Sequence, residues 1–554
     1  MNPASDQDTV SARARQLLET YGAVDACVAE LFCDRHDPDR LAHRIVATDL
    51  SYRDITYGEL RAESERFSGA LKELGIGPGD RVATLMGKCR EYLVALMGIW
   101  RLGAVHVPLF TAFAPPAIAL RMQGSGAKAV ICDPSQRAKL EPGDAIPANA
   151  PWRIVTTGEA DREALSFAEL MEDATPVTEA ARMGGDGALL HIYTSGTTGQ
   201  PKGVVVPIRA LASFHAYMEF GFGLTDDDTF WCAADPGWAY GLYYAVIGSF
   251  QTGVRSILFE GGFVPESALA ILAQQGVTNF AAAPTVYRSL RSSGLPIPDG
   301  VKLRCASSAG EPLTPEVNDW AEEHLGVTVH DHYGQTEAGM LINNHHHPAV
   351  RREVKSGSMG HAMPGWSLAV LEEDGDVEAV PGELGRVAID LSASPLAWFT
   401  GYEGDPERTA EKFSADRRWY ITGDTASRDE EGYFHFSARD DDIIIMAGYR
   451  IGPFEVESTI VTHPAVAEAA VIAVPDEVRG EVLESYVVLR GGEAGSDDLE
   501  REIQQWVKTR YAAHAYPRRV HFAEALPKTP SGKIQRFVLK QQRRAELAAE
   551  DVKD

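Results

Sequence analysis

With 554 residues, 44% of them hydrophobic and 24% charged, the chain has apolar material for several cores and too much length for one ordinary domain, which excludes a disordered, fibrous or single small module. Its formal charge of -27 repels nucleic-acid phosphates and anionic lipid over most of the surface, so neither is an expected partner and a bound polyphosphate needs a local basic site.

The stretch Met1 to Glu19 is polar with mixed charge and lacks the apolar run of an export signal. The longest notable apolar stretch, Tyr92 to Trp100, stops at Arg101, far short of a membrane span, so the chain reads as soluble. Six cysteines, Cys27, Cys33, Cys89, Cys132, Cys232 and Cys305, form no Cys-x-x-Cys pair, which fits reduced thiols in the cytoplasm. From about residue 55 helical and strand patterns alternate. Glu59 to Leu74 is amphipathic, Arg81 to Met86 strand-like, Glu91 to Arg101 helical and Ala104 to Leu109 strand-like. The rhythm returns in strands at Lys128 to Cys132, Val254 to Phe259 and Val277 to Ala282, with a helix at Glu266 to Gln275. It predicts a large α/β body of doubly wound, mostly parallel sheets. Past Arg439 the style changes: the charged run Arg439-Asp440-Asp441-Asp442 precedes Ile443-Ile444-Ile445, short strands, a helix from Asp497 to Tyr511 and a strand from Arg518 to Phe522. The expected division is therefore 1–438 and 439–554, and the charged, Ala-rich end from Arg543 to Asp554 is expected to be a frayed helix or tail.

Between two strand-like runs, ending at Tyr193 and resuming at Val204-Val205-Val206, lies Thr194-Ser195-Gly196-Thr197-Thr198-Gly199-Gln200-Pro201-Lys202-Gly203. Glycines let backbone N–H groups approach oxyanions, hydroxyls add donors and Lys202 adds charge, so the loop suits a polyphosphate such as ATP. The spacing is not G-x-x-x-x-G-K-[ST], and a strand follows where a Walker-type loop has a helix. The bland alternative is a solvated hairpin of turn residues; alone, the loop indicates phosphate and no reaction.

The loop resembles the signature of the adenylate-forming superfamily of acyl-CoA synthetases, firefly-type luciferases and peptide-synthetase adenylation domains, and the resemblance runs from about Ile55 to Leu539. It implies a large N-terminal domain of doubly wound sheets with a β-barrel-like subdomain, and a small mobile α+β C-terminal domain. On that resemblance Thr194, Ser195, Gly196, Thr197, Thr198, Gly199 and Lys202 cradle the phosphates of ATP. Ser307-Ser308-Ala309-Gly310-Glu311-Pro312 and Asp331-His332-Tyr333-Gly334-Gln335-Thr336-Glu337 resemble the nucleotide-pocket motifs. Gly310, Glu311 and Pro312 would line the adenine, Asp331 would accept from its amino group, and Tyr333 would flank the ring, with His332, Gly334 and Gln335 in the same run. Thr336 would touch the α-phosphate and Glu337 would hold Mg²⁺. Asp424, in Tyr420-Ile421-Thr422-Gly423-Asp424, offers both carboxylate oxygens to the ribose hydroxyls, with Arg439 as a second nucleotide contact.

Adenylation drives one anion onto another, which demands positioned cations, and by resemblance Lys533, in Pro527-Lys528-Thr529-Pro530-Ser531-Gly532-Lys533, supplies one. The run Gly448-Tyr449-Arg450-Ile451-Gly452 resembles the acyl-CoA synthetase form, in which Gly448 and Tyr449 border the path of CoA and Arg450 meets phosphate; Asp441 matches the hinge between the domains. Acetate-specific relatives close the acyl pocket with a tryptophan before the Gln-Thr-Glu triplet. Here that position is Gly334, so an opened apolar volume is expected, lined also by Trp238, Ala239, Tyr240 and Ala309. Acids larger than acetate, short- to medium-chain, branched or aryl, are the expected substrates, and the nearest resemblance is to the medium-chain acyl-CoA synthetases. Two other functions compete: loading of a carrier protein, although no carrier domain follows in this sequence, and a non-catalytic nucleotide sensor. His345-His346-His347 lacks cysteine partners and ligand spacing and reads as an exposed loop, with no structural zinc expected.

Overall fold

The computed structural model describes residues 3–194, 201–439, 442–446, 449–476, 480–491, 493–512, 515–528 and 533–551. The alternation read from residue 55 becomes βαβ units because an apolar strand buried on both faces needs a covering helix. Thr56 and Glu59 form a capping box that starts the helix Tyr57–Glu73, which buries Leu60, Phe67 and Leu71. The strand Arg81–Leu85, the helix Arg90–Arg101 and the strand Val105–Pro108 follow. Among the described residues this sheet has seven strands, in the order Ala164–Ser166, Arg153–Thr156, Ala129–Cys132, Arg81–Leu85, Val105–Pro108, Ala188–Thr194 and Lys202–Pro207. All neighbours are parallel except the last pair, an antiparallel hairpin.

A second sheet, of nine strands among the described residues, runs His361–Ala362, Gly339–Asn343, Val329–Gln335, Cys305–Ala309, Asn279–Ala282, Thr229–Cys232, Arg255–Phe259, Leu41–Val46 and Tyr52–Thr56. Its centre is parallel and both edges are antiparallel. Prolines open the covering helices Pro265–Gln274, Pro284–Ser293 and Pro315–His324, where the first turn has no use for the missing N–H. In open α/β sheets ligands collect beyond the carboxyl ends of the parallel strands. Here those ends are Thr194, Ala309 and Gln335, each leading directly into a motif named above.

A third sheet, of four antiparallel strands among the described residues, runs Leu368–Leu371, Leu384–Asp390, Trp419–Arg428 and Phe434–Arg439 and forms a separate sheet of the large domain, in the place of the expected barrel-like subdomain. Its register sets Asp424 directly opposite Arg439. Beyond it, Ile444, Val456, Val471, Leu483, Val487, Val507 and Leu539 belong to a separate core. That core lies between the long pair Val466–Asp476 and Gly480–Leu489 and the helices Pro453–Ile460, Asp497–Arg510 and Arg536–Asp551. No described helix is long and apolar enough to cross a membrane.

One sequence expectation is narrowed and one corrected. Of the two expectations for the stretch from Arg543, a frayed helix or a tail, the described residues form a helix, and its start is anchored: Arg543 lies in the helix Arg536–Asp551, is 8% exposed and donates to Glu484 at 2.7 Å. The histidine run is not an exposed loop, since His345 and His346 are buried and donate from Nε2 to the carbonyls of Ala362 and Ala306.

Three residues after Lys533, Arg536 grips Glu457 through two bonds, Nε at 2.9 Å and Nη2 at 2.7 Å, and reaches Asp442 at 3.3 Å. Glu457 also accepts from the Val471 N–H at 2.7 Å. This bidentate pair ties the lysine-bearing segment to the core. Removing one partner of a buried pair leaves the other charge uncompensated, so Glu457→Ala should lower stability by about 3 kcal/mol in denaturant unfolding, the low end of such losses because Asp442 remains. An unchanged midpoint would contradict the anchoring.

Candidate functional site

The hairpin that carries the phosphate-type loop is built closely around two rings. His191 and Tyr193 stack at 4.9 Å, and a Cβ on Gly203 would stand 2.5 Å from His191 Nε2, so a larger residue there would have to displace the imidazole. Thr194 pairs with Lys202 across the hairpin. Ser195, Gly196, Thr197, Thr198 and Gly199 lie outside the described residues. Lys202 sets its ammonium 4.6 Å over the ring of Tyr402, whose hydroxyl donates to Glu337 Oε1 at 2.8 Å. The lysine and the carboxylate predicted for phosphate and Mg²⁺ are thus joined through one phenol.

Asp424 is buried and accepts from the Tyr333 hydroxyl at 2.6 Å and from Gln335 Nε2 at 2.5 Å. Burial raises its pKa, opposed first by the charge of Arg439 across the strand pair. Lys412 donates to the Thr422 carbonyl at 2.8 Å, just behind Gly423 and Asp424, and burial lowers its pKa while Glu337 and Asp424 support its charge. Lys533 keeps contact with solvent, yet the protein around it pushes its ammonium pKa down. Arg439 adds to that effect, and Glu311, Asp424 and Glu337 oppose it. A residue from the second core therefore shares one electrostatic field with the carboxylates of the first.

The buried Asp331 carboxylate accepts weakly from the Leu313 N–H at 3.4 Å and from the His332 N–H, and burial pushes its pKa up to about 8. A buried carboxyl short of donors fits a ligand that brings an N–H. Beside it Gly310 adopts φ +100° with open space where a Cβ would point, so the backbone is accessible there. The Glu311 side chain turns away to Arg288 at 2.8 Å and Thr285 at 3.1 Å, which leaves its main chain for any ring placed here.

The acyl side is walled by aromatic rings. The segment Gly241–Gly248 runs beside the Gly334–Thr336 turn, with the Tyr243 hydroxyl donating to the Thr336 carbonyl at 3.1 Å and the Met340 N–H donating to Tyr244 at 3.1 Å. Trp238 packs on Phe110 and Phe113, with ring centroids 5.3 and 5.7 Å away. Ala309 lies opposite His332, and Ala239 and Tyr240 border the core. The volume expected at Gly334 is corrected by the strand pairing. A bulge after Tyr333 sets Gly334 against Met340, and a Cβ on Gly334 would lie 2.3 Å from the Gly339 oxygen and 2.7 Å from Met340 Sδ. A thioether, not empty space, backs this position.

Gly448 and Asp441 lie outside the described residues, and Tyr449 and Arg450 are described only as backbone in the strand Tyr449–Ile451. Tyr402, Lys412 and Arg288 escaped the sequence reading because each meets its partner only in three dimensions. His330, His332 and His346 bring ring nitrogens within 4.8 Å of one another. His330 and His346 are stacked at 3.6 Å and 8°, and an ion lies in the plane of each imidazole it ligates, so parallel rings do not converge on one ion. Burial lowers the pKa of all three, His330 to about 4. The cluster is therefore neutral packing.

Comparison with known proteins agrees with this geometry. A model of the family described as AMP-binding enzyme matches residues 33–394, and one described as AMP-binding enzyme C-terminal domain matches residues 455–533. The chain is 37% identical over 533 residues to acetyl-coenzyme A synthetase of Bacillus subtilis (strain 168), covering 95% of this chain and 90% of that one. The crystal structure of an acyl-CoA synthetase of Brucella canis superposes with a TM-score of 0.74 at 42% identity, covering 97% of each chain. The anthranilate CoA ligase AuaEII in complex with anthranoyl-AMP superposes with a TM-score of 0.85 at 28% identity, covering 95% of this chain and 98% of that one.

The Asp331 carboxyl has a measurable signature. Its pKa is raised from 3.8 to about 8 on folding, so the folded protein holds the proton more tightly across that window and loses stability as pH rises through it. Asp331→Asn removes the titration. The variant should gain in thermal midpoint over the parent as pH goes from 4 to 8, whereas a difference independent of pH would contradict the buried, donor-poor setting.

Proposed function

The chain belongs to the AMP-binding enzyme family and is an AMP-forming acid–CoA ligase, and on that premise we propose that its acid is larger than acetate and that its two half-reactions use different lysine- and glycine-bearing segments. The observation that supports the adenylation step is electrostatic: Glu311, Asp424 and Glu337 favour the charged form of Lys533, and Arg439 opposes it.

In the first step a carboxylate oxygen of the acid attacks the α-phosphorus of ATP and pyrophosphate leaves. Lys202 and Lys533 oppose the charge that gathers on the phosphates, Asp424 holds the ribose, and Asp331 takes the adenine amino group. Thr336 stands at the α-phosphate. Glu337, oriented by Tyr402, would hold Mg²⁺, which supplies further neutralisation of phosphate charge when bound. In the second step the sulfur of CoA attacks the acyl carbonyl and AMP leaves with the oxygen it gained. We assign that step to the segment from Gly448 to Arg450, reached by rotation about Asp441. Six free cysteines with pKa values raised by burial, four of them to about 12, suit a reducing cytoplasm.

The acid's size rests on the pocket residues, since the relatives named above range from acetyl to anthranilate ligases. At Gly334 the place an indole would take is already filled by Gly339 and Met340, so any volume for a longer acyl chain there must come from movement of Met340. Met340 is a flexible side chain that can yield to a longer acyl chain. One methylene contributes only about 0.8 kcal/mol of burial, so neighbouring lengths should be used together.

Lys533→Ala should slow acid-dependent pyrophosphate release by about 10²-fold or more and spare thioester formation from supplied acyl-adenylate; equal losses in both assays would refute the division. Gly448→Leu should do the reverse, with adenylation intact and CoA acylation lost. AMP release from acids between acetate and dodecanoate, with branched and aryl acids, run with and without CoA, tests the rest. Release that needs a carrier protein instead of CoA would favour the carrier-loading alternative.

A further inference from the structure

The acyl side of the cleft contains a row of hydrogen bonds whose direction is fixed by its far end. His332, buried on Val329–Gln335, places Nε2 3.0 Å from the main-chain carbonyl oxygen of Asn344 and Nδ1 2.7 Å from the Tyr217 hydroxyl. The Tyr217 hydroxyl in turn lies 3.1 Å from that of Tyr240. A carbonyl can only accept, so Nε2 carries the imidazole proton. Burial keeps the ring neutral, which leaves Nδ1 a lone pair and no proton. Tyr217 must then donate to Nδ1. Having given its one proton there, it can only accept from Tyr240. The Tyr240 proton points inward along the row, and its oxygen lone pairs face the other way.

Tyr217 and Tyr244 are fully buried, whereas Tyr240 retains exposure. It packs against Tyr244 at 5.2 Å and sits one turn before Tyr243, whose hydroxyl holds the Thr336 carbonyl. The row's other end, His332, lies opposite Ala309 and two residues before Gly334. Both phenols are pushed well above their ordinary pKa by burial, so neither loses its proton at working pH.

We propose that Tyr240 is the specificity-determining residue for the acyl group, that it presents a hydrogen-bond acceptor, and that the preferred acid carries a hydroxyl on its chain or ring which donates to the Tyr240 oxygen. This rests on reading the cleft as the acyl side of an acid–CoA ligase. An unsubstituted acid leaves the oxygen lone pair unmatched. An oxo acid sets a second lone pair against it and is the poorest fit, because the Tyr240 proton is already engaged by Tyr217. Tyr217 acts through Tyr240 and is a positioning residue.

The test compares kcat/KM for ATP- and CoA-dependent AMP release by the full chain with matched acids: butyrate, its hydroxy isomers and its oxo isomers, and benzoate with its hydroxy isomers. On the better-used skeleton, one hydroxy isomer should exceed the parent acid about tenfold and the oxo acids should fall below it. In Tyr240→Phe the ratio of hydroxy to parent acid should drop to about one; the ratio is taken within the variant, so a general loss of activity cancels. In Tyr217→Phe, which releases the Tyr240 proton, the oxo acids should gain on the hydroxy acids. Parent acids that match or exceed every hydroxy isomer, or a ratio unchanged in Tyr240→Phe, would overturn the proposal. Absence of AMP release with every acid would instead overturn the acid–CoA ligase reading beneath it.

Discussion

A protein of formal charge -27 that receives a polyphosphate must gather its cations where the phosphates go and keep each from being neutralised beforehand. The structure meets this constraint by alternation. Lys202 approaches Glu337 only through the ring and hydroxyl of Tyr402. Arg439 faces Asp424 across a strand pair while that carboxylate is already occupied by Tyr333 and Gln335. Lys412 is turned to main-chain carbonyls. In a partly buried cleft such charges act more strongly than they would in water, which is the setting that attack of one anion on another requires.

The same contacts join the sheets. Gln335 and Tyr333 end a strand of the second sheet and bind Asp424 in the third, and Gln335 also accepts from Tyr420 at 3.1 Å. The third sheet is therefore docked through residues expected to hold the nucleotide, so the geometry of the ribose clamp and the packing of the domain are one problem. Lys533 arrives from the separate core, and Arg536 and Glu457 fix its segment there. If that core rotates about Asp441 as proposed, the lysine is present for one half-reaction and withdrawn for the next.

Much of this was legible in the sequence because its signals are local. The βαβ alternation follows from periodicity, the hairpin around Lys202 from strand–turn–strand pattern, and the motif carboxylates from resemblance. What escaped was set by distant partners. Tyr402 is 65 residues from Glu337, and no short pattern links them. Three adjacent histidines suggested solvent, yet His345 and His346 find main-chain carbonyls and His346 stacks on His330, which compensates their burial. A glycine at 334 suggested space, but the bulge that brings Met340 opposite it is a property of strand pairing and not of the residue.

The central claim is that the acid is activated through a bond to the α-phosphate of ATP before CoA takes it. Supplying an acid labelled with ¹⁸O in its carboxylate, together with ATP and CoA, and weighing the phosphorus products tests this directly. The account predicts one labelled oxygen in AMP and none in pyrophosphate. Label in inorganic phosphate, with ADP formed, would mean attack at the γ-phosphate and would contradict it.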